Sequence, residues 1–479
     1  MPVLVPLAPG LALLIAALVA AVPTPATVRR WAPVAASVAV GAVGAVLLTA
    51  SGPATALAGV LRADSLSAWM LVTIGSVGVV STWAGLDRDT GRGYAALLCA
   101  FLGAMSLAVV ADNLGIVWVA IEATTIATAF LVAHYGTRGA LEAAWKYVVL
   151  GSVGIAIAFL GVVLIYAASV RSGPTLSWLV LSGDHGLDHG LVRLGAALAV
   201  LGFATKAGLA PMHSWLPDAH GQAPAAVSGL MSGVLLAVAL YAIVRVQAIA
   251  DAVLGTGLMR IELAVLGLLS IAVAAALEWR QRDLKRMLAY SSIEHMGVMA
   301  LGVAIGPTAL PAVLLYMLAH GLIKASLFVL SGRLLAAEGT TSLAVMRALL
   351  GRRPAIAVPW LAALAGLIGF PPFGIFFAEL AIAIAGWRAG LGWAVLVALG
   401  LLCLVFTALV RLAIPMLFGT PTAWTSVGPD DRGATPHGAP TGPLLPIGLA
   451  LAACVVVPFL GGPVGAALSD AAAAVTGSR

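Results

Sequence analysis

The chain has 479 residues, 62% of them hydrophobic and 9% charged, with a mean hydropathy of +1.08 and a formal net charge of +6. That balance excludes a soluble globular protein and indicates an all-α polytopic membrane protein. The cations are scattered singly or in short clusters between apolar runs, which is the pattern of topology signals and not of a nucleic-acid surface.

A span needs roughly 20 apolar residues. On that measure about fourteen spans are expected, centred near residues 13, 41, 76, 103, 123, 156, 200, 235, 264, 298, 322, 370, 405 and 454. The first run, Val3 to Val22, has no positive segment before it, and Arg29 and Arg30 follow it, so it reads as a span and not a signal peptide. Three connections are longer and more polar: Arg171 to Gly190, Gly339 to Arg353, and Gly419 to Thr441. The expected organisation is 1–93 for spans one to three, 94–420 for a translocating core, and 421–479 for a polar loop and a last span.

Counting Lys and Arg by loop gives about sixteen on one side and seven on the other. Arg29, Arg88, Lys285 and Arg432 belong to the richer, inner side; Arg62, Arg245 and Arg479 belong to the outer side. Both termini are then outside. Cys99, Cys403 and Cys454 lie far apart with no C-x-x-C pair, so no iron–sulfur cluster, zinc site or disulfide is expected.

Spans seven and twelve carry breaks. Ala210-Pro211 follows Lys206, and Pro371-Pro372 precedes Glu379. Proline removes a backbone donor and crowds the preceding turn, so both helices should be discontinuous. Interrupted spans in corresponding positions point to an inverted repeat, here spans four to eight against nine to thirteen.

Ionisable groups at membrane depth are costly, which makes each a functional hypothesis. Glu122 lies mid-span and Lys206 is its natural partner; a helix–helix contact for the first and snorkelling for the second are the structural alternatives. His213, Asp218 and His220 follow in the break, and suit a hydrated half-channel or a cap better than a metal site. Glu294 and His295 are adjacent and should point to different helix faces. His320 and Lys324, four apart, should share one. In order, Glu122, Lys206, His295, His320, Lys324 and Glu379 offer a proton row, with Lys146, Lys285 and Glu294 as secondary candidates.

The segment KAGLAPMHSWLPDAHGQAP, Lys206 to Pro224, resembles the hallmark of the antiporter-like subunits of complex I, Mrp-type cation/proton antiporters and energy-converting hydrogenases. SSIEHMG and PPFGIFFAE look most like the component F branch of hydrogenase-4. The resemblance implies a fourteen-helix bundle with two inverted five-helix repeats. It assigns Glu122, Lys206, the His320–Lys324 pair and Glu379 to the family's relay positions. It also implies proton translocation in the cell membrane, driven by redox chemistry in partner subunits. Those partners would carry iron–sulfur and, in hydrogenases, nickel–iron centres; this non-redox subunit would bind no cofactor of its own. Two departures stand out. Ala237 occupies the position where relatives often carry a lysine, and the chain is expected to stop just after span fourteen, without a lateral helix. An Mrp-type antiporter subunit and a transport-inactive scaffold are the alternatives.

Overall fold

The computed structural model describes residues 2–50, 52–86, 91–420 and 442–476. The polar loop from 421 to 441, with Arg432, and the cations Arg88 and Arg479 lie outside the described residues. In hydrocarbon a backbone polar group finds partners only within its own segment, so the apolar runs fold as helices. In chain order these are α1 (Leu4–Ala21), α2 (Ala26–Leu48), α3 (Ser65–Val79), α4 (Arg92–Val110), α5 (Leu114–Val132), α6 (Arg138–Ser169), α7 (Trp178–Gly183), α8 (His189–Ala207), α9 (Trp215–Gln222) and α10 (Ala225–Leu230). There follow α11 (Leu236–Leu254), α12 (Gly257–Glu278), α13 (Leu284–Ile305), α14 (Leu310–Glu338), α15 (Leu349–Arg352), α16 (Pro354–Leu367), α17 (Gly374–Arg388), α18 (Gly392–Phe418), α19 (Leu445–Val456) and α20 (Pro463–Thr476). A π turn, Met231–Leu235, joins α10 and α11 into one span. A short hairpin, Ala54–Ala56 with Leu61–Ala63, links α2 to α3.

Every expected centre falls in a helical segment except the one near residue 370, which falls on the break between α16 and α17. Among the described residues, twelve helices are individually long and apolar enough to cross a membrane, or thirteen if the bent pair Leu445–Phe459 and Val464–Val475 is one span. The count falls short of fourteen because α16 and α17, with 14 and 15 residues, are each too short to cross alone. The last expected span likewise bends by 80°. Its second arm, α20, packs against α3, α11 and α14, so the described chain continues past the fourteenth expected centre into a further helix.

The span Ala225–Leu254 is wholly buried and α13 and α14 nearly so, whereas α1, α6 and α18 present much of their surface outward. The centre of the bundle is therefore α10–α11 with α13 and α14. Helices approach closely where side chains vanish: a Cβ on Gly161 would come 2.4 Å from the Ala199 nitrogen, drawing α6 against α8. Without a hydrophobic driving force between helices, such small-residue contacts supply the packing.

Both expected breaks are present. α8 ends at Gly208 (φ 74°), ahead of the cis bond Ala210-Pro211, and α16 ends near Gly369 (φ 71°), ahead of the cis bond Pro371-Pro372. Pro211, Pro371 and Pro372 are exposed on the isolated chain. One cation expected outside is not a loop charge at all: Arg245 is buried in α11 and donates to both oxygens of Asp64 at 2.7 Å. Its guanidinium lies 3.7 Å from the centre of the Trp178 ring, so it ties α11 to the start of α3 and to α7.

Candidate functional site

The first polar cluster lies between α5, α6 and α8. Lys206, one residue from the end of α8, is fully buried, and its Nζ donates to Tyr147 Oη at 2.8 Å. The same ammonium sits 4.4 Å from the centre of the Tyr147 ring. Thr128 Oγ1 donates to Tyr147 Oη at 2.6 Å, and Trp215 Nε1 donates across the break to Thr205 O at 2.9 Å, which fixes the end of α8. Glu122 is half-buried and accepts from Ser152 (2.9 Å) and Thr125 (3.0 Å). The expected direct pair of Glu122 and Lys206 is not made. Hydroxyl groups satisfy the carboxylate on its own side, and Tyr147 takes the ammonium on the other. An aromatic residue inside an apolar run reads as packing, so Tyr147 gave no signal in the sequence.

The second cluster joins α13, α14 and α17. His320 and Lys324 share a face of α14 as expected, but they do not bond each other. Lys324 Nζ donates to Leu288 O (2.7 Å) and Ser291 Oγ (2.5 Å) on α13, while the His320 ring meets that of His295 at 5.1 Å between centroids. Tyr316, one turn before His320, bonds His295 Nδ1 at 2.7 Å and donates to Glu379 Oε1 at 2.8 Å. Glu294 and His295 do not diverge as adjacency suggested: His295 Nε2 lies 3.4 Å from Glu294 Oε2. A glutamate side chain has enough torsions to bend round to its neighbour's ring. A cavity of about 40 Å³, room for a water molecule, is lined by both Glu294 and Glu379.

Glu294, His295 and Glu379 also bring three potential ligand atoms within 4.8 Å of one another. Tyr316 already bonds two of these side chains, which makes the group a hydrogen-bonded path as it stands. Glu278 and Tyr316 are both buried here and neither stood out in the sequence: one sits at a span's end, the other reads as packing.

Between the clusters lies His220, fully buried, stacked on Phe328 at 5.0 Å, with neither ring nitrogen partnered. Lys285, read as a loop charge, is buried and donates to Ala223 O at 2.7 Å, where a cation favours the carbonyl end of α9. Ser232 in the π turn bonds Ser292 of α13 at 2.7 Å, one turn ahead of the apolar Ala237. His213 is half-buried in the break. Asp218 and Lys146 are not in the buried row. They pair at 3.2 Å on a polar cavity of about 220 Å³, where Arg286 (3.2 Å) also meets Asp218 and Glu142 (2.7 Å) meets Lys146.

The family model for "NADH:quinone oxidoreductase/Mrp antiporter, TM" matches residues 111–407, which contain both clusters. A hydrogenase-4 component F homolog from Methylacidiphilum infernorum is 35% identical over 348 residues, covering 70% of this chain and 72% of the relative. The chain belongs to the NADH:quinone oxidoreductase/Mrp antiporter family of membrane subunits. A second family member, NADH-quinone oxidoreductase subunit N 1 from Symbiobacterium thermophilum, is 33% identical and covers 79% of this chain and 78% of the relative. In fold, the chain is similar to a chain of the membrane-bound sulfane sulfur reductase, an archaeal respiratory membrane complex. The TM-score is 0.85 at 23% identity, covering 98% of this chain and 97% of that one. Those matched proteins are subunits of multi-subunit assemblies, as is expected of a family member.

Proposed function

We propose that this family member moves protons across the cell membrane as a non-redox subunit of a hydrogenase-4-like or quinone-reductase-like complex, with both termini outside. Residues 94–420 form the translocating core, in which α4 to α11 and α12 to α18 are the two repeats. The observation that carries the reading is the unbroken contact Glu379–Tyr316–His295, extended at 3.4 Å to Glu294.

The phenol of Tyr316 has one proton and two acceptors. In one state His295 carries its proton on Nδ1 and donates to Tyr316, which donates to ionised Glu379. His295 Nε2 is then bare and faces protonated Glu294. In the other state Glu379 is protonated and donates to Tyr316, Tyr316 donates to Nδ1, and Nε2–H faces ionised Glu294. Interconversion moves one proton from Glu294 to Glu379: it closes the 3.4 Å approach to His295 Nε2 and then follows the bonds through Tyr316, which is what a histidine with two distinct nitrogens supplies. The first cluster works differently. Lys206 holds or releases a proton against the Tyr147 hydroxyl, and Glu122 biases it electrostatically through two hydroxyl-lined turns of α5. His220, Ser232 and Ser292 line the way between the two, where Ala237 offers no ionisable group. The polar cavity at Asp218 and Lys146 is the inner-side inlet.

The test is to purify the native complex in mild detergent, identify its partners by mass spectrometry, and reconstitute it for proton uptake. Redox subunits together with proton movement that Lys206→Ala abolishes is the expected result. Only small membrane subunits and sodium-dependent transport would overturn it in favour of an Mrp-type antiporter.

A further inference from the structure

Glu278 is the last residue of α12, and the relay above does not use it. It is fully buried, and neither carboxylate oxygen has a hydrogen-bond partner. Leaving a carboxyl group buried and unbonded costs free energy, so its place needs a reason. Gly267, Ile271, Ala274 and Glu278 recur at helical spacing on the buried face of α12. That face meets α13: a Cβ on Gly267 would come 2.7 Å from Gly297 O, and a Cβ on Gly297 would meet Ile271 and Ser270. The two helices are joined by residues 279–283 and run antiparallel, so Glu278 lies level with the first turns of α13. Leu288 and Ser291 are there, and they hold the Lys324 ammonium.

Glu294 follows one turn after Ser291 on α13, so the two carboxyl groups flank the turns that hold the Lys324 ammonium without bonding it, close enough for the three charges to couple. Of the other charged or titratable groups described in this region, the cations are engaged elsewhere, while His220 and the Nε2 of His320 make ring contacts without hydrogen bonds. Lys285 is bonded to the end of α9, Arg411 of α18 stacks over the Trp279 ring at 5.2 Å, and His295 is bonded to Tyr316. His220 is stacked on Phe328, His320 meets His295, and Glu379 accepts from Tyr316. Two buried carboxyl groups therefore face one ammonium. One ionised carboxylate balances it; a second would stand uncompensated in a low dielectric, and neighbouring carboxyl groups in that position share a proton.

We propose that Glu278 and Glu294 form a proton-sharing carboxylate dyad beside Lys324, holding one exchangeable proton that loads the His295–Tyr316–Glu379 path. With the proton on Glu294, Glu278 is the counter-charge of Lys324. When Glu294 gives that proton to His295 Nε2, the proton on Nδ1 passes to Tyr316 and the phenol proton passes to Glu379. Two carboxylates then face one ammonium, and their repulsion favours reloading. The direction of transfer rests on the relay reading of the preceding section; the shared proton does not.

The measurement is infrared absorption of protonated carboxyl groups, with hydrogen–deuterium exchange, on the native complex at neutral pH. It compares wild type, Glu278→Gln, Glu294→Gln and the double variant. Each single substitution should remove the same amount of carboxylic-acid absorption, equal to one group, and the double should remove no more. No loss in Glu278→Gln, or a double loss twice that of the singles, overturns the dyad. If Glu278→Gln does not assemble, Glu278→Asp should keep the absorption, and adding Glu294→Gln to it should remove one group's worth; no loss there overturns the proposal. Proton uptake measured on the same preparations separates the two ideas. A shared-proton signature in a complex that moves no protons keeps the dyad and removes the transport reading.

Discussion

The cluster around Lys206 and the cluster around Lys324 hold the same kind of cation in different ways. Lys206 rests on a phenol hydroxyl and an aromatic face, with its carboxylate Glu122 kept apart on a half-buried face of α5. Lys324 rests on a carbonyl and a serine of α13, with two buried carboxyl groups in electrostatic reach. Among the described residues neither ammonium touches an anion; what differs is the surroundings, one half-buried carboxylate beside Lys206 and two fully buried ones beside Lys324, next to the bonded row His295–Tyr316–Glu379. On the proposed reading, proton release depends on water and on Glu122 in the first half, and on a fixed side-chain path in the second.

Removing either lysine should have the largest effect. Lys206→Ala should cut redox-driven proton uptake by at least about 100-fold, the scale lost with a positioned proton-transfer group, while the complex still assembles. Lys324→Ala should do the same. Uptake at the wild-type rate in either variant would make that lysine structural and erase the parallel between the halves.

The two tyrosines set the halves apart. Tyr316→Phe removes the hydroxyl that joins His295 to Glu379 among the described residues, and uptake should fall about 100-fold. Tyr147→Phe removes a hydroxyl that water can replace, and uptake should fall about 10-fold, partly restored where water reaches the site. Equal losses in stopped-flow uptake would show that the first half is also a fixed path.

Part of this contrast was legible in the sequence. The breaks at Pro211 and Pro371-Pro372, and the depth of Glu122, Lys206, His320, Lys324 and Glu379, follow from hydropathy and from proline's missing donor. What connects those groups was not legible. Tyr147 and Tyr316 read as apolar packing, and Glu278 reads as the end of a span. Lys285 and Arg245 count as loop charges in the sequence; Lys285 is buried at the start of α13, and Arg245 is buried mid-helix because α11 runs on to Leu254. Sequence spacing reports which face a residue occupies on its own helix. It does not report which neighbour that face meets, so the Glu122–Lys206 pair was expected direct and is not made. Glu294 and His295 were expected apart, and their side chains converge.

Glu122→Gln sharpens the first half alone. Its carboxylate accepts from Ser152 and Thr125 and touches neither Lys206 nor Tyr147, so its influence on Lys206 is electrostatic and passes through protein. Uptake should fall by about three- to tenfold, the range of a charge effect of roughly 1 kcal/mol, and the loss should shrink at high salt because Glu122 is half-buried.

The smallest effect belongs to the inlet. Lys146 pairs with Glu142 and Asp218 at the surface, where ion pairs are screened and contribute little. Lys146→Ala should leave stability unchanged and lower uptake by less than about twofold, since Arg286 still holds Asp218. Asp218→Asn should be stronger, because it frees Arg286, leaves Lys146 with Glu142 alone and makes the cavity wall net cationic, which repels an arriving proton. If Lys146→Ala were the more damaging of the two, protons would be reaching Tyr147 along α6 from Lys146, and the first half would have a side-chain path of its own.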